Sequence, residues 1–370
     1  MTRKWWILCC AIAGAAWSGT VLDVGFDADP LGRYSYDSCK AEFPGVTWNN
    51  GLTPDSASRV QVVQGGDTAL SGRSLRVLYP AGCLGPSGTG GAPACGAQWR
   101  SYLPVSRDTL WLRYQVYFPD GFEWTKGGKL PGLCGSQCNT GGNVPTGTDG
   151  WSARMMWRDS SRLVLYLYYA GQGGTYGTDV VFHEATGSVL RVATGRWHDL
   201  VLKVSLNTPG ASGGPGASDG RVQAWFDGAR AADTAGFRFR DLDTMHVNEF
   251  YFSTFFGGST PDFSPAHDNR IFFDGFRIST DSAGLFGTSG TAPRRPRGVR
   301  PPRVSGGAID WTLDPGGWCA EVRGASGARL ASGCGSGREL SLGIPSGRFE
   351  PVAWTIRSKQ ESWSGISILR

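Results

Sequence analysis

Two segments in the middle of the chain alternate in polarity residue by residue. In the run from Trp151 to Arg158, Trp151, Ala153, Met155 and Trp157 share one parity, and Ser152, Arg154 and Met156 share the other. In the next run, Leu163, Leu165, Leu167 and Tyr169 alternate with Val164, Tyr166 and Tyr168. Successive side chains of a strand point to opposite faces. Both runs therefore read as strands with one face in a core. Their other faces present Ser152, Arg154, Tyr166 and Tyr168 as a rigid polar patch. Lys129, in a Gly-Gly-Lys-Leu-Pro-Gly segment, is expected to reach that patch from the preceding loop. Lys, Arg and Tyr without a paired carboxylate suit a negatively charged substrate and proton transfer beside its carboxylate.

The same period recurs along the chain. Strands are expected at Leu75–Tyr79, Thr109–Phe118, His198–Leu206, Arg221–Phe226, Glu249–Phe256 and Arg270–Ile278, with Gly, Pro, Asn and Asp in the connections. No segment sustains a helical period with caps. Composition agrees: 56 Gly and 15 Trp in 370 residues, with only 18% charged, describe many short strands joined by glycine turns. So many antiparallel strands in one unit are expected to close as an all-β jelly-roll sandwich over residues 20–287. The Gly/Ser/Pro segment Asn207–Gly220 reads as an exposed hairpin tip within that unit.

The ends read differently. Arg3 and Lys4 precede a short apolar run, Trp5 to Ala16, and small residues around Ser18 and Gly19. This is the pattern of a secretory signal over residues 1–19, too short to span a membrane comfortably. The protein is expected outside the cell, where disulfides are the default. Local pairing gives Cys83–Cys95, Cys134–Cys138 and Cys319–Cys334, leaving Cys39 odd. Residues 288–303, rich in Pro and Arg, read as a stiff, solvated basic linker. Residues 304–370 read as a small β domain stapled by Cys319–Cys334, since a unit of that size needs a staple. Its Trp311, Trp318, Trp354 and Trp363 are expected to form its core, the alternative being an accessory carbohydrate-binding face.

Several catalytic machines are absent. There is no Gly-x-Ser-x-Gly elbow, no phosphate loop and no His-Glu-x-x-His. There is no Glu-x-Asp-x-x-Glu strand of the kind that supplies the paired carboxylates of many glycosidases. Clustered acidic ligands of a nuclease are also missing. His183, His198, His246 and His267 each lack a sequence partner that marks one as a base. The net charge of +5 fits an acidic partner.

From Gly25 to Ser279 the chain resembles the family fourteen polysaccharide lyases, which act on alginate and glucuronan and adopt a β-jelly-roll fold. The resemblance rests on Gly128-Lys129-Leu-Pro-Gly-Leu, Trp151-Ser152-Ala-Arg154-Met-Met-Trp157-Arg, Leu165-Tyr166-Leu-Tyr168 and Ser253-Thr254-Phe-Phe-Gly-Gly258. Tyr79-Pro80, Gly85-Pro86-Ser87 and Gly96-Ala-Gln98-Trp99 extend it. It implies Lys129, Ser152, Arg154, Tyr166 and Tyr168 as catalytic residues, with Gln98 near the same surface as a substrate contact. These are the residues that alternation places on one face. The insertion Cys134–Asp149 and the C-terminal unit depart from the family pattern.

The implied activity is that of a secreted lyase cutting a uronate polysaccharide by β-elimination. The alternative is a non-catalytic polysaccharide-binding sandwich or a cell-surface protein. Arg154, helped by Ser152, is expected to neutralise the uronate carboxylate. Tyr166, Tyr168 and Lys129 share the acid and base roles, and neighbouring positive charge is expected to lower the tyrosine pKa values. The expected partner is an acidic polysaccharide, with no nucleic acid and no membrane span. The reaction requires no metal. Asp27, Asp29 and Asp274 would hold a structural Ca2+ if the first and last strands pair.

Overall fold

The computed structural model describes residues 19–54, 59–64 and 72–286, together with seven strands between residues 303 and 368. The expected signal segment up to residue 18 and the linker core 287–302 lie outside the described residues. In chain order the first strands are β1 (Thr20–Val24), β2 (Gly32–Arg33), β3 (Val46–Asn50), β4 (Val60–Gln64), β5 (Arg73–Tyr79), β6 (Ala97–Arg107), β7 (Thr109–Phe118) and β8 (Gly127–Ser136). They are followed by β9 (Gly150–Arg158), β10 (Leu163–Tyr168), β11 (Thr178–Val181), β12 (Arg196–Ser205), β13 (Gly220–Phe226), β14 (Ala229–Phe237), β15 (Val247–Thr254) and β16 (Asn269–Ser279).

These strands make two antiparallel sheets. One runs β14-β13-β12-β7-β16-β5-β4-β2, with β1 also paired to β16. The other runs β11-β10-β9-β8-β15-β6-β3. The fold is a β-sandwich of jelly-roll type. The expected strands are all present. Several more were hidden by weak alternation: β6, β8 and β14 among them. A short helix, α1 (Tyr36–Glu42), is capped by Ser35, whose side chain accepts from the Ser38 amide.

The core lies between the sheets. Trp151, Ala153, Met155 and Trp157 of β9 enter it beside Leu163, Leu165 and Leu167 of β10. A one-residue slip of β10 would drive its tyrosines inward and its leucines outward. Each leucine so exposed would cost about 1.5–3 kcal/mol, so the outer face is set by what the inner face buries.

One expectation is corrected here. Lys129 does not reach the patch from a loop. It sits within β8, opposite Met156 of β9. The run Gly-Gly-Lys-Leu-Pro-Gly looks like a turn in sequence. Here Gly128 brings the strand against Trp157, whose ring would lie only 2.0 Å from a Cβ at that position.

Cys83–Cys95 and Cys134–Cys138 are disulfides, and Cys39 is free and buried. In the C-terminal part, a three-stranded and a four-stranded sheet are formed, and Cys319 stands opposite Cys334 in register. No described helix is long and apolar enough to cross a membrane.

The first and last strands of the sandwich do pair, as a Ca2+ site would need. Asp27 acts electrostatically on Asp274. Among the described residues, the group of three possible ligands within 4.8 Å of one another is Cys134, Cys138 and Glu249. Two of these form a disulfide, and Glu249 is paired with Arg100 at 2.6 Å.

Asp274 itself is buried, and Gly275 donates its amide to Asp274 Oδ1 at 2.7 Å. Burial, opposed by that hydrogen bond and reinforced by Asp27, pushes its pKa up to about 7. The folded state therefore holds a proton that the unfolded chain releases from about pH 4 upward. Stability is lost as pH rises towards 7, by at most about 4 kcal/mol. Asp274→Asn is expected to melt higher than wild type at pH 8 and similarly at pH 4. Equal differences at both pH values in thermal melts would contradict this.

Candidate active site

Antiparallel register brings the patch together. Tyr166 lies opposite Arg154 and Tyr168 opposite Ser152, while Gly132 of β8 lies opposite Arg154. Lys129 Nζ sits 4.2 Å from the centre of the Tyr166 ring and 3.0 Å from Met156 Sδ. The Arg154 guanidinium is 5.8 Å from the same ring, and the Tyr166 and Tyr168 rings meet edge to face at 5.6 Å. All five expected catalytic residues thus share one outer face.

That face is covered, which the alternation did not indicate. Lys129 is 9% exposed, Arg154 2% and Tyr168 0%. Two loops close over it. From one side, Ser152 Oγ donates to the Asn139 carbonyl at 2.7 Å, and the Gly142 amide donates to the Tyr168 hydroxyl at 3.1 Å. These contacts come from the insertion, which Cys134–Cys138 pins to β8 and the Asn139–Asp149 hydrogen bond closes at 3.0 Å. From the other side, the Gly177 amide donates to the Tyr166 hydroxyl at 3.1 Å. Only glycine fits there, because a Cβ on residue 177 would stand 2.8 Å from the Tyr168 ring and 3.0 Å from that of Tyr166.

The electrostatics are unusual. Arg154 donates to Ser253 Oγ at 3.1 Å, and its buried Nε has no hydrogen-bond partner. Neither Arg154 nor Lys129 makes an ion pair among the described residues. The acid nearest to Lys129 in effect is Asp179, which Arg158 already holds at 2.6 Å. Burial, then Arg154 and Arg158, pushes the Lys129 amine well below the ordinary lysine value. Tyr166 moves the other way. Burial and then Tyr168 raise its pKa, and Arg154 opposes this only in part. The expected lowering of the Tyr166 pKa by positive neighbours is therefore corrected: desolvation wins.

Ser152 is on the face, but its hydroxyl faces the insertion. The hydroxyl that meets Arg154 is that of Ser253. Gln98 of β6 lies opposite Ser253 in register, at the margin of the cluster. Tyr251, whose ring lies 4.8 Å from the Arg154 guanidinium, was not anticipated. Its signal is the same alternation: Phe250 and Phe252 enter the core, so Glu249, Tyr251 and Ser253 face outward. No histidine joins. His198 is buried against the other sheet, between Asp227 at 2.9 Å and the Ala193 carbonyl at 2.7 Å, and His246 meets Asp108 at 2.9 Å.

Known proteins share this framework. The family model described as Polysaccharide lyase 14 matches residues 67–276. Among solved structures, the alginate lyase Aly36B is 25% identical with a TM-score of 0.55, covering 70% of this chain and 96% of that one. The marine PL-14 alginate lyase from Aplysia kurodai is 25% identical with a TM-score of 0.56, covering 71% and 99%. Comparison with curated proteins gives no match.

Arg158→Gln removes one of the cations that depress Lys129. The Lys129 amine, followed by carbon-detected NMR, is expected to titrate at higher pH in that variant than in wild type. An unmoved midpoint would discount the electrostatic account. Gly177→Ala is expected to cost about 1–3 kcal/mol through overpacking against the two tyrosines, read as a lower melting temperature with both ring resonances shifted.

Proposed function

We propose, on the premise that this chain belongs to the polysaccharide lyase 14 family and is a polysaccharide lyase, that it cuts a uronate polysaccharide of the alginate or glucuronan type by β-elimination. The observation that carries the substrate class is the buried Arg154, which among the described residues has an unpartnered Nε and no carboxylate beside it. A buried cation is costly unless paired. The carboxylate of a bound uronate supplies the missing partner.

The reaction divides among the side chains by their protonation. Arg154, with Ser253 behind it, neutralises the carboxylate attached to C5, which makes the C5 hydrogen more acidic. Lys129, held below the ordinary lysine value, is the proton acceptor in its neutral form. As it takes the C5 proton, the C5–H electron pair becomes the C4=C5 double bond and the C4–O4 bond breaks. Tyr166, whose raised pKa keeps its proton in place, delivers that proton to the departing O4. Tyr168 orients Tyr166 through their edge-to-face contact. Proton transfer by a positioned side chain is worth about 10²–10⁴-fold.

An extracellular site of action is the setting that supports the two disulfides. The insertion and the loop at Gly177 must separate from the face for a polymer to enter. Both hold the tyrosine hydroxyls through single backbone amides, donors that a substrate hydroxyl can replace.

The test follows ultraviolet absorbance of the unsaturated uronate during incubation with polymannuronate, polyguluronate and glucuronan. Wild type is expected to produce it on at least one polymer. Lys129→Arg, whose guanidinium stays protonated and cannot act as a base near neutral pH, and Tyr166→Phe are each expected to lose about 10²–10⁴-fold in kcat. New reducing ends without unsaturated product would mean hydrolysis and overturn the proposal.

A further inference from the structure

The row that carries Tyr166 and Arg154 does not end there. Register continues it from Arg154 to Gly132 of β8, to Tyr251 of β15, to Arg100 of β6 and to Thr47 of β3. This is one line perpendicular to six strands, about 24 Å long at the usual strand spacing. Side chains touch along it: the Arg154 guanidinium lies over Tyr251, whose ring meets Trp48 at 5.8 Å, and the Arg100 guanidinium lies over Trp48 at 5.2 Å.

Trp48 ends the row in an abnormal conformation. The pairing of β3 with β6 shifts between Thr47 and Asn50, and Trp48 in this bulge has φ 62°. A residue with a Cβ is disfavoured there, and bulges re-aim side chains. This one turns an indole onto the outer face and leaves it 41% exposed. Its support is rigid. Arg100 is buried and held by Glu249 at 2.6 and 2.7 Å and by the Ser136 carbonyl at 2.8 Å. Since Glu249 neutralises Arg100, the end of the row offers an aromatic surface rather than a free charge. Beyond it, Asn49, Asn50 and Ser87 line a cavity of about 280 Å³.

We propose that Trp48 is the stacking platform of a distal sugar subsite, which binds a ring of the same polysaccharide several units from the cleaved bond. The face of an indole is electron-rich, and the C–H face of a pyranose is apolar and faintly positive. The proposal rests on the reading of this face as the polysaccharide site. Trp48 lies outside residues 67–276, which match the family model. Trp48 is a specificity residue and touches no reacting atom.

Two readouts separate this from the lyase reading. In steady-state kinetics on the polymer, Trp48→Ala is expected to raise KM roughly tenfold, the loss of about 1.4 kcal/mol of contact, with kcat within twofold. Trp48→Phe should restore most of the effect, and trisaccharide cleavage should be unchanged. In a Lys129→Ala background, calorimetric binding of long uronate oligosaccharides should weaken by the same factor, which reads the subsite whether or not the protein cleaves. Unchanged polymer KM and oligosaccharide affinity, or equal losses on long and short substrates, would overturn the subsite while leaving the lyase proposal standing.

Discussion

A guanidinium and an amine buried side by side, with no anion to pair with among the described residues, form the constraint around which the second sheet is organised. Removing the guanidinium charge from water costs several kcal/mol even after relaxation, and the same burial drives the amine towards its neutral form. Arg154 and Lys129 tolerate this because their backbones are held from beneath. Trp151, Met155 and Trp157 on the inner face of β9 are fully buried, as are Leu163, Leu165 and Leu167 on β10. Turning either side chain to solvent would require these strands to give up the core. The sandwich therefore supplies the free energy that keeps the buried guanidinium in place, where the proposed uronate carboxylate would meet it.

The same burial separates the proton affinities of neighbouring groups. Desolvation disfavours whichever form is charged. It therefore lowers the lysine and raises the tyrosine within one small volume. Burial thus favours a neutral amine beside a protonated phenol, the pair that the proposed elimination uses as base and acid without a histidine or a carboxylate. Two loops complete the enclosure. Their amides occupy the tyrosine hydroxyls, and the disulfide between Cys134 and Cys138 ties one of them to the strand that bears Lys129.

Across the sheet, one register row joins the proposed catalytic side chains to the proposed sugar platform. Gly132, with no side chain, leaves room for Arg154 to reach Tyr251 across the intervening strand. The buried Arg100–Glu249 pair fixes the far end and passes its order to Trp48. Only the bulge in β3, an edge strand, brings the indole onto this line.

Which residues share a face was legible in the sequence, because a strand's period of two is local. Alternation placed Ser152, Arg154, Tyr166 and Tyr168 together and assigned the leucines and tryptophans opposite them to the core. Local cysteine spacing likewise identified Cys83–Cys95 and Cys134–Cys138. What lay above that face was decided only in the folded chain. Whether Lys129 stands in a loop or a strand depends on β9 and β15 flanking β8. The hydroxyl that meets Arg154 comes from Ser253, 99 residues away, and Ser152 is turned to the insertion instead. The sign of the Tyr166 shift depends on loops whose closure no periodicity reports. Parity is set by each residue's neighbours in the chain, whereas burial and register are set by strands brought together from distant parts of it.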